Sequence, residues 1–112
     1  MVAKEVSEMF ARNMTLKLQP NHLMRFIETY NAVVLSILKS QRGFRGEVAI
    51  ITAVGQDVVA TSYWESREAA DTYHNSGYKE ILEILGGMIE DQPAIVDSEV
   101  ISSTLHNLAS VL

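Results

Sequence analysis

Residues 47–65 read EVAIITAVGQDVVATSYWE, and the prediction of a β-sheet rests on these residues. Two runs rich in β-branched residues, 47–54 and 58–65, flank a short turn, Gly55-Gln56-Asp57. This pattern predicts a β-hairpin. Both alternating sets of side chains in the first run are largely hydrophobic, with Ala49, Ile51 and Ala53 in one set and Val48, Ile50 and Val54 in the other. The sheet that contains this hairpin is therefore expected to be apolar on both faces.

One strand and one helix are predicted before the hairpin. Apolar and polar residues nearly alternate over residues 9–18, which is the period of a strand. One face of this strand would carry Phe10, Met14, Leu16 and Leu18, and the other Ala11, Asn13, Thr15 and Lys17. From Leu23 to Leu38 apolar residues recur every three or four positions, which predicts an amphipathic helix of about five turns. Residues 41–46 contain two glycines and predict a loop.

A helical region that is bent or split, followed by one strand, is predicted after the hairpin. Ser66 is a suitable N-cap for a short helix that ends near His74. The segment Asn75-Ser76-Gly77 interrupts the helical pattern, which resumes over residues 78–89. Residues 95–103 alternate again and predict the final strand.

The predicted order of elements is strand, helix, strand, strand, helix, strand. It predicts a ferredoxin-like α+β fold (βαββαβ), in which a four-stranded antiparallel sheet carries its helices on one face. Residues 1–112 are interpreted as a single domain with an N-terminal extension (1–7) and a C-terminal tail (104–112). Because the helices can cover only one face of the sheet, a second copy is expected to cover the other in a homodimer. The alternative is that the tail folds under the sheet.

Composition argues against several classes of function. The formal net charge of −5 argues against a nucleic-acid partner, because binding phosphates requires clustered Lys and Arg. The chain has no cysteine, so it has no disulfides and no cysteine nucleophile. His22 and His106 lack companion ligands at metal spacing, and no metal site is predicted. No apolar run approaches the roughly 20 residues of a membrane-spanning helix, and no secretory signal is evident. A cytoplasmic protein without a membrane partner is expected.

Three segments carry a resemblance to a known family: Ala11-Arg12-Asn13, residues 42–46 (RGFRG) and residues 63–69 (YWESREA). Together with the order of elements, they make nearly the whole chain resemble the antibiotic biosynthesis monooxygenase (ABM) family of dimeric α+β barrels. The resemblance implies a cavity between the sheet and the helices that is wide enough for a flat aromatic substrate. Members of that family oxygenate polycyclic phenols to quinones without flavin or metal. Related members cleave haem, and others have no established reaction.

Asn13, Trp64 and His74 are the candidate catalytic residues. In proteins similar to this one an asparagine at the position of Asn13 lines the cavity, where its amide would donate a hydrogen bond to a substrate oxyanion. The alternative is an amide bound to backbone or solvent. Trp64, the only tryptophan, would stack on an aromatic substrate, or it is a core residue. His74 would remove a phenolic proton, or it is a solvated surface residue.

Tyr73, Tyr78 and Phe26 are the candidate substrate-binding residues. Tyr73 and Tyr78 lie close to His74 in sequence, so their polar ends are expected to converge on one cavity wall, and Phe26 lies on the apolar stripe of the first predicted helix. Haem-cleaving relatives carry a second tryptophan where this chain has Tyr73. They also carry a histidine ligand to iron in the following helix, where this chain reads ILEIL over residues 81–85. Haem is therefore a minor alternative, and no cofactor is expected.

The leading interpretation is a cofactor-independent monooxygenase that oxidises a small phenolic, quinol or polyketide-like aromatic with dioxygen. A substrate anion, formed with help from His74 or Tyr78, would transfer an electron to dioxygen, while Asn13 and Trp64 orient it. A non-catalytic module that binds a small apolar molecule is the first alternative, because the predicted acid-base set has one histidine and no paired carboxylate. A haem-degrading oxygenase is the second alternative.

Overall fold

The computed structural model describes residues 9–52 and 56–104. Four strands are present: β1 (Phe10–Lys17), β2 (Phe44–Ile51), β3 (Asp57–Trp64) and β4 (Ala94–Glu99). The helices are α1 (Leu23–Thr29), α2 (Leu35–Lys39), α3 (Arg67–His74) and α4 (Gly77–Leu85). A π-helical turn (Tyr30–Val34) joins α1 and α2 into one continuous helical segment, and a 3₁₀ turn (Gly86–Met88) follows α4.

The four strands form one sheet in the order β2-β3-β1-β4, and every neighbouring pair is antiparallel. This order and the position of the helices on one face confirm the predicted ferredoxin-like α+β fold. The predicted boundary between the two C-terminal helices is also confirmed, since α3 ends at His74 and α4 begins at Gly77. Ser66 caps α3 as predicted, because its Oγ accepts a hydrogen bond from the Ala69 N–H at 3.1 Å.

The hydrophobic core lies between the sheet and the helices. Alternation along β1 and β3 directs one set of side chains into it, and the helical residues at three- and four-residue spacing meet that set. Removing apolar surface from water in this layer contributes about 25 cal/mol per Å². The most deeply buried side chains come from all of these elements: Leu16, Leu18, Val34, Val58, Trp64, Ile81 and Leu85.

Two strand boundaries differ from the prediction. β2 begins at Phe44, within the predicted loop, because a bulge between Phe44 and Gly46 lets the strand continue to pair with β3. Gly46 provides the positive φ of 146° at this bulge. β4 ends at Glu99, short of the predicted residue 103. β4 pairs with β1, and one backbone hydrogen bond beyond the end of β4 joins the Val100 N–H to the Met9 carbonyl.

The outer face of the sheet, on the side away from the helices, carries exposed apolar side chains. Val48, Ile50 and Val96 are 45%, 59% and 61% exposed. The prediction of a sheet with apolar residues on both faces is therefore confirmed for the described residues. The N-terminal extension, Ala53 to Gly55 of the hairpin, and the C-terminal tail from residue 105 onward lie outside the described residues. No helix in the described part of the chain is long and apolar enough to cross a membrane.

Candidate functional site

A small cavity, which we call the core cavity, lies between the sheet and the helices. Its polar wall is formed by Arg12, Ser62 and the three tyrosines Tyr30, Tyr73 and Tyr78, and aliphatic side chains complete the lining. The cavity measures about 20 Å³, which is room for a single water molecule. This cavity alone has no room for a flat aromatic substrate, because the core side chains fill that space, whereas a larger space lies elsewhere between a helix and the sheet.

Arg12 is the buried charged residue of this cavity, and the candidate residues from the sequence did not include it. It follows the alternation of β1 onto the inner face and is only 6% exposed. Nε donates to Asp97 Oδ1 at 2.6 Å, and Nη2 donates to Asp97 Oδ2 at 3.0 Å. Nη2 also donates to Asp71 Oδ1 and Nη1 to the Ala70 carbonyl, both at 3.0 Å. Four donated hydrogen bonds leave one of the five guanidinium N–H groups for another acceptor.

The two aspartates compensate the charge of Arg12 from the solvent side. The Asp71 and Asp97 side chains are 55% and 30% exposed, whereas the arginine side chain is 7% exposed. The hydrogen bond from Arg12 lowers the pKa of Asp97, and the same bond raises the pKa of Arg12. The guanidinium is thus a permanent, paired cation at the edge of an apolar cavity.

Aromatic rings from β3, α3 and α4 form a contiguous wall beside Arg12. Trp64 stacks on Tyr73 with ring centroids 4.7 Å apart, and Tyr73 meets Tyr78 edge-on at 6.0 Å. Trp64 is fully buried, and its Nε1–H donates to Ser62 Oγ at 2.8 Å. The indole N–H is therefore already bound within the protein. Tyr73 and Tyr78 both line the cavity, whereas Trp64 supports them from behind.

The tyrosines of this region keep their protons near neutral pH. Burial raises the pKa of Tyr30, and the hydrogen bond to Glu47 raises it further. Burial also raises the pKa of Tyr73 and of Tyr78, although the charge of Arg12 partly opposes the rise. These hydroxyls are suited to donate hydrogen bonds to a ligand and unsuited to accept its proton. The suggestion that Tyr78 acts as a base is therefore disfavoured.

His74 lies at the end of α3 and stacks on Tyr78, with ring centroids 4.8 Å apart and an interplanar angle of 16°. Its Nδ1 is buried and has no hydrogen-bond partner among the described residues. The side chain is half-buried, so the alternative of a fully solvated surface residue is not observed. His74 contacts the cavity through Tyr78, while the cavity lining itself does not include the imidazole.

Asn13 lies on the outer face of the sheet, and the expectation that it lines the inner cavity is corrected. Alternation along β1 places it opposite to Arg12. Its Nδ2 donates to the Val96 carbonyl at 2.9 Å and to Ser98 Oγ at 3.1 Å. Its Oδ1 accepts a hydrogen bond from Thr61 Oγ1 at 2.8 Å. The alternative interpretation of an amide bound mainly within the sheet describes what is seen, and the structure does not bring Asn13 together with Trp64 and His74.

A second, open space lies between α1 and β2, and we call it the α1–β2 groove. Its volume is about 250 Å³. Its lining comprises Leu23, Phe26, Ile27, Tyr30, Asn31, Glu47, Ala49, Ile50, Ile51 and Val58. Phe26, a predicted substrate-binding residue, therefore faces this groove and does not line the core cavity. Tyr30 borders both spaces, and its hydroxyl donates to Glu47 Oε1 at 2.8 Å.

Neither metal nor haem fits the residues of this site. Across residues 9–52 and 56–104 no three His, Asp or Glu side chains are grouped to hold a metal ion. Helix α4, which follows the aromatic wall, contains no histidine. The core cavity of about 20 Å³ is far smaller than a porphyrin. No step of the chemistry is therefore assigned to haem.

The model of the family "Antibiotic biosynthesis monooxygenase" matches residues 9–81, more than half of the chain. The chain belongs to this family. The match spans β1 through most of α4, so it includes Arg12, Tyr30 and the whole aromatic wall. No curated protein sequence matches this ABM member significantly.

Solved structures share the fold of this ABM member at low sequence identity. A protein of unknown function from Nitrosomonas europaea, NE2512, has a TM-score of 0.75 at 13% identity, with 89% of this chain and 96% of that chain covered. The monooxygenase ActVA-Orf6 of Streptomyces coelicolor, solved with the ligand nanaomycin D, has a TM-score of 0.71 at 20% identity, with 94% and 98% covered. SnoaB, a cofactor-independent oxygenase from Streptomyces nogalater, has a TM-score of 0.71 at 11% identity, with 88% and 98% covered. These likenesses concern the fold.

Proposed function

We propose that this ABM protein is a cofactor-independent monooxygenase that oxidises a small phenolic, quinol or polyketide-like aromatic with dioxygen. The observation that carries the proposal is the buried guanidinium of Arg12 at the edge of a cavity walled by tyrosines. A fixed cation in apolar surroundings favours the anionic form of a phenol, and the anion is the form that reduces dioxygen. Two relatives in fold, one an ActVA-Orf6 monooxygenase and one a cofactor-independent oxygenase, are consistent with this chemistry.

The proposed reaction uses the substrate as its own reductant. The phenol loses its O–H proton, and the phenolate passes one electron to dioxygen. The resulting phenoxyl radical and superoxide combine into a peroxide on a ring carbon. That carbon then loses its hydrogen as the O–O bond breaks, which leaves a carbonyl oxygen on the ring and releases the other oxygen atom as water. We assign proton removal to His74 and stabilisation of the anion to Arg12, with Tyr73 and Tyr78 as hydrogen-bond donors.

The size of the core cavity constrains how a substrate would reach Arg12. A space of about 20 Å³ admits a molecule the size of water or dioxygen, whereas an aromatic ring needs the larger α1–β2 groove. Tyr30 separates the two spaces. We therefore propose that the ring enters through the groove and displaces the Tyr30 side chain as it approaches Arg12.

Oxygen uptake with a panel of hydroquinones and anthrones tests the reaction. We expect at least one member to be consumed faster with protein than in buffer, with a quinone and water as products. No consumption above buffer for any member of the panel would contradict the assignment. Labelled dioxygen should place one oxygen atom in the quinone, which distinguishes oxygenation from simple two-electron oxidation.

We also propose that the protein is a homodimer in which the outer faces of two sheets meet. Three apolar residues support this proposal, because they remain largely exposed in a single chain and lie beside Asn13 and Thr61: Val48, Ile50 and Val96. Burial against a second copy would stabilise the pair by about 25 cal/mol per Å² of apolar surface. A protein that sediments as single chains at micromolar concentration would contradict this arrangement.

A non-catalytic binding module is the second candidate function. The specific observation in its favour is the weak acid-base set: the raised pKa values of the three tyrosines mean that they hold their protons more tightly than usual, and the imidazole of His74 stands outside the cavity lining. Thermal-shift measurements with aromatic ligands distinguish the two functions. A ligand that raises the melting temperature and is recovered unchanged in air supports the binding module over the oxygenase.

A further inference from the structure

The α1–β2 groove has a single charged group among its described lining residues, the carboxylate of Glu47. The other lining residues are Asn31, Tyr30 and apolar side chains. No lysine or arginine is among these described lining residues, so nothing there compensates the charge of an anionic ligand. A negatively charged molecule would be repelled by Glu47 and would lose hydration on entry.

Glu47 is held in place and keeps the capacity to accept another hydrogen bond. The Tyr30 hydroxyl donates to Oε1 at 2.8 Å, which fixes the carboxylate at the inner end of the groove. A carboxylate has two oxygens and accepts several hydrogen bonds, so the Tyr30 bond does not saturate it. A ligand that carries a hydroxyl donor satisfies this acceptor, whereas a pure hydrocarbon would bury it without a partner.

The walls of the groove suit a flat ring. Phe26 and Tyr30 are adjacent aromatic side chains with ring centroids 5.7 Å apart, and Ile27 and Ile51 supply aliphatic contacts. The volume of about 250 Å³ is slightly below the roughly 300 Å³ at which drug-sized pockets begin. This volume favours a ligand of one or two rings over a larger polycycle.

We infer that the α1–β2 groove binds an uncharged one- or two-ring phenol, whose hydroxyl donates a hydrogen bond to Glu47. The inference rests on the proposed oxygenase function in one respect, since it names the form and size of aromatic that would enter. It concerns binding alone and requires no turnover.

Calorimetric titration under nitrogen tests the inference with 1-naphthol and 1-naphthoate, which share a ring system and differ in charge. Wild-type protein should bind 1-naphthol more tightly than 1-naphthoate by about tenfold or more. Glu47→Gln removes the charge and should reduce this preference to about threefold or less. Glu28→Gln, a change at an exposed carboxylate of α1 outside the groove lining, should leave the preference unchanged.

The position of the ligand is tested by methyl NMR. Addition of 1-naphthol should shift the methyl signals of Ile27 and Ile51, which line the groove, and leave those of Ile84 in α4 in place. Equal affinity for the two ligands, a preference that persists in Glu47→Gln, or shifts confined to α4 would each overturn the inference. Selective naphthol binding without oxygen consumption would support the groove and contradict the oxygenase. Oxygen consumption without a preference for 1-naphthol over 1-naphthoate would support the oxygenase and contradict the inference about the groove.

Discussion

Arg12 and Asp97 lie opposite each other on β1 and β4, and the guanidinium of Arg12 donates hydrogen bonds to both carboxylate oxygens of Asp97, at 2.6 and 3.0 Å. A bidentate ionic pair of this kind is stronger and more directional than a single neutral hydrogen bond. The Arg12–Asp97 pair links the edge strand β4 to its neighbour β1 and orients the guanidinium toward the cavity. The stability of the fold and the electrostatics of the site therefore depend on the same pair.

Asp97→Asn should destabilise the fold by about 1–3 kcal/mol, because the buried guanidinium then loses its principal charged partner and retains only Asp71. Urea unfolding followed by circular dichroism measures the change. Asp91→Asn, at an exposed aspartate between α4 and β4, serves as the matched control and should change the free energy of unfolding by less than about 0.5 kcal/mol. Equal effects of the two substitutions would contradict the role of the pair.

The same pair predicts a dependence on pH. Arg12 lowers the pKa of Asp97 below its ordinary value of 3.8, so the folded state binds the proton more weakly than the unfolded chain. The stabilisation is fully present above about pH 5. It is lost as the pH falls from the pKa of Asp97 in the unfolded chain toward its lower pKa in the folded state. The free energy of unfolding of wild type should therefore exceed that of Asp97→Asn by a constant amount from about pH 7 to about pH 5, and the difference should shrink below about pH 4. An advantage that grows on acidification would be incompatible with this linkage.

Gly43→Ala should destabilise the fold by about 2–4 kcal/mol. Gly43 has a φ of +83°, and an added Cβ would lie 2.6 Å from the Cβ of Ala69 in α3. Gly87→Ala is the matched control, because a Cβ added there would have nothing within 4 Å and the backbone is not left-handed. That control should be neutral or stabilise by up to about 1 kcal/mol. Chemical denaturation of the two variants gives the comparison, and similar losses in both would show that the approach of α3 to residue 43 is unimportant.

Ile50→Lys should shift the proposed homodimer toward single chains by introducing a charge on the apolar outer face of the sheet. Sedimentation velocity over a concentration series detects the shift as a lower sedimentation coefficient. Met24→Lys is the control, since Met24 is 68% exposed on α1 and lies away from the outer face of the sheet. A dimer that persists in Ile50→Lys with unchanged affinity would place the interface elsewhere.

Arg12→Lys should lower the turnover of any oxidised phenol by about 10²-fold, because lysine keeps the charge and loses the planar donor geometry. Stopped-flow or oxygen-electrode measurements provide kcat and KM separately. The loss is expected in kcat, together with an upward shift of the pH at which the rate reaches half its maximum, since a bound phenolate becomes less stable. A change confined to KM would indicate a role in binding alone.

Much of the fold could be predicted from local patterns. The hairpin, the amphipathic helix and the break at residues 75–77 are encoded by neighbouring side chains, and each appears as expected. The start of β2 could not be predicted, because the bulge near Gly46 depends on pairing with Trp64 and Tyr63 on β3. Local sequence shows only two glycines there, and glycines indicate a loop as readily as a bulge.

The site was harder to predict than the fold, and Arg12 shows why. Strict alternation along β1 places residue 12 among the core-facing positions, but a charged residue at such a position is expected only if partners compensate it. Those partners, Asp71 and Asp97, lie 59 and 85 residues away in sequence. Asn13 shows the opposite error: its strand pattern places it among polar outward positions, whereas the family resemblance implied an inward one.

The π-helical turn at Tyr30–Val34 sets which face of α1 is presented to the sheet. Its wide hydrogen bond runs from the Leu35 N–H to the Tyr30 carbonyl, so the segment holds one residue more than a regular helix would. Loss of one residue here would restore α-helical spacing and rotate α1 by about 100° relative to α2. Phe26 and Ile27 would then turn away from β2. A single-codon deletion in this turn would thus change which ligands the α1–β2 groove prefers, without replacing any residue that lines it.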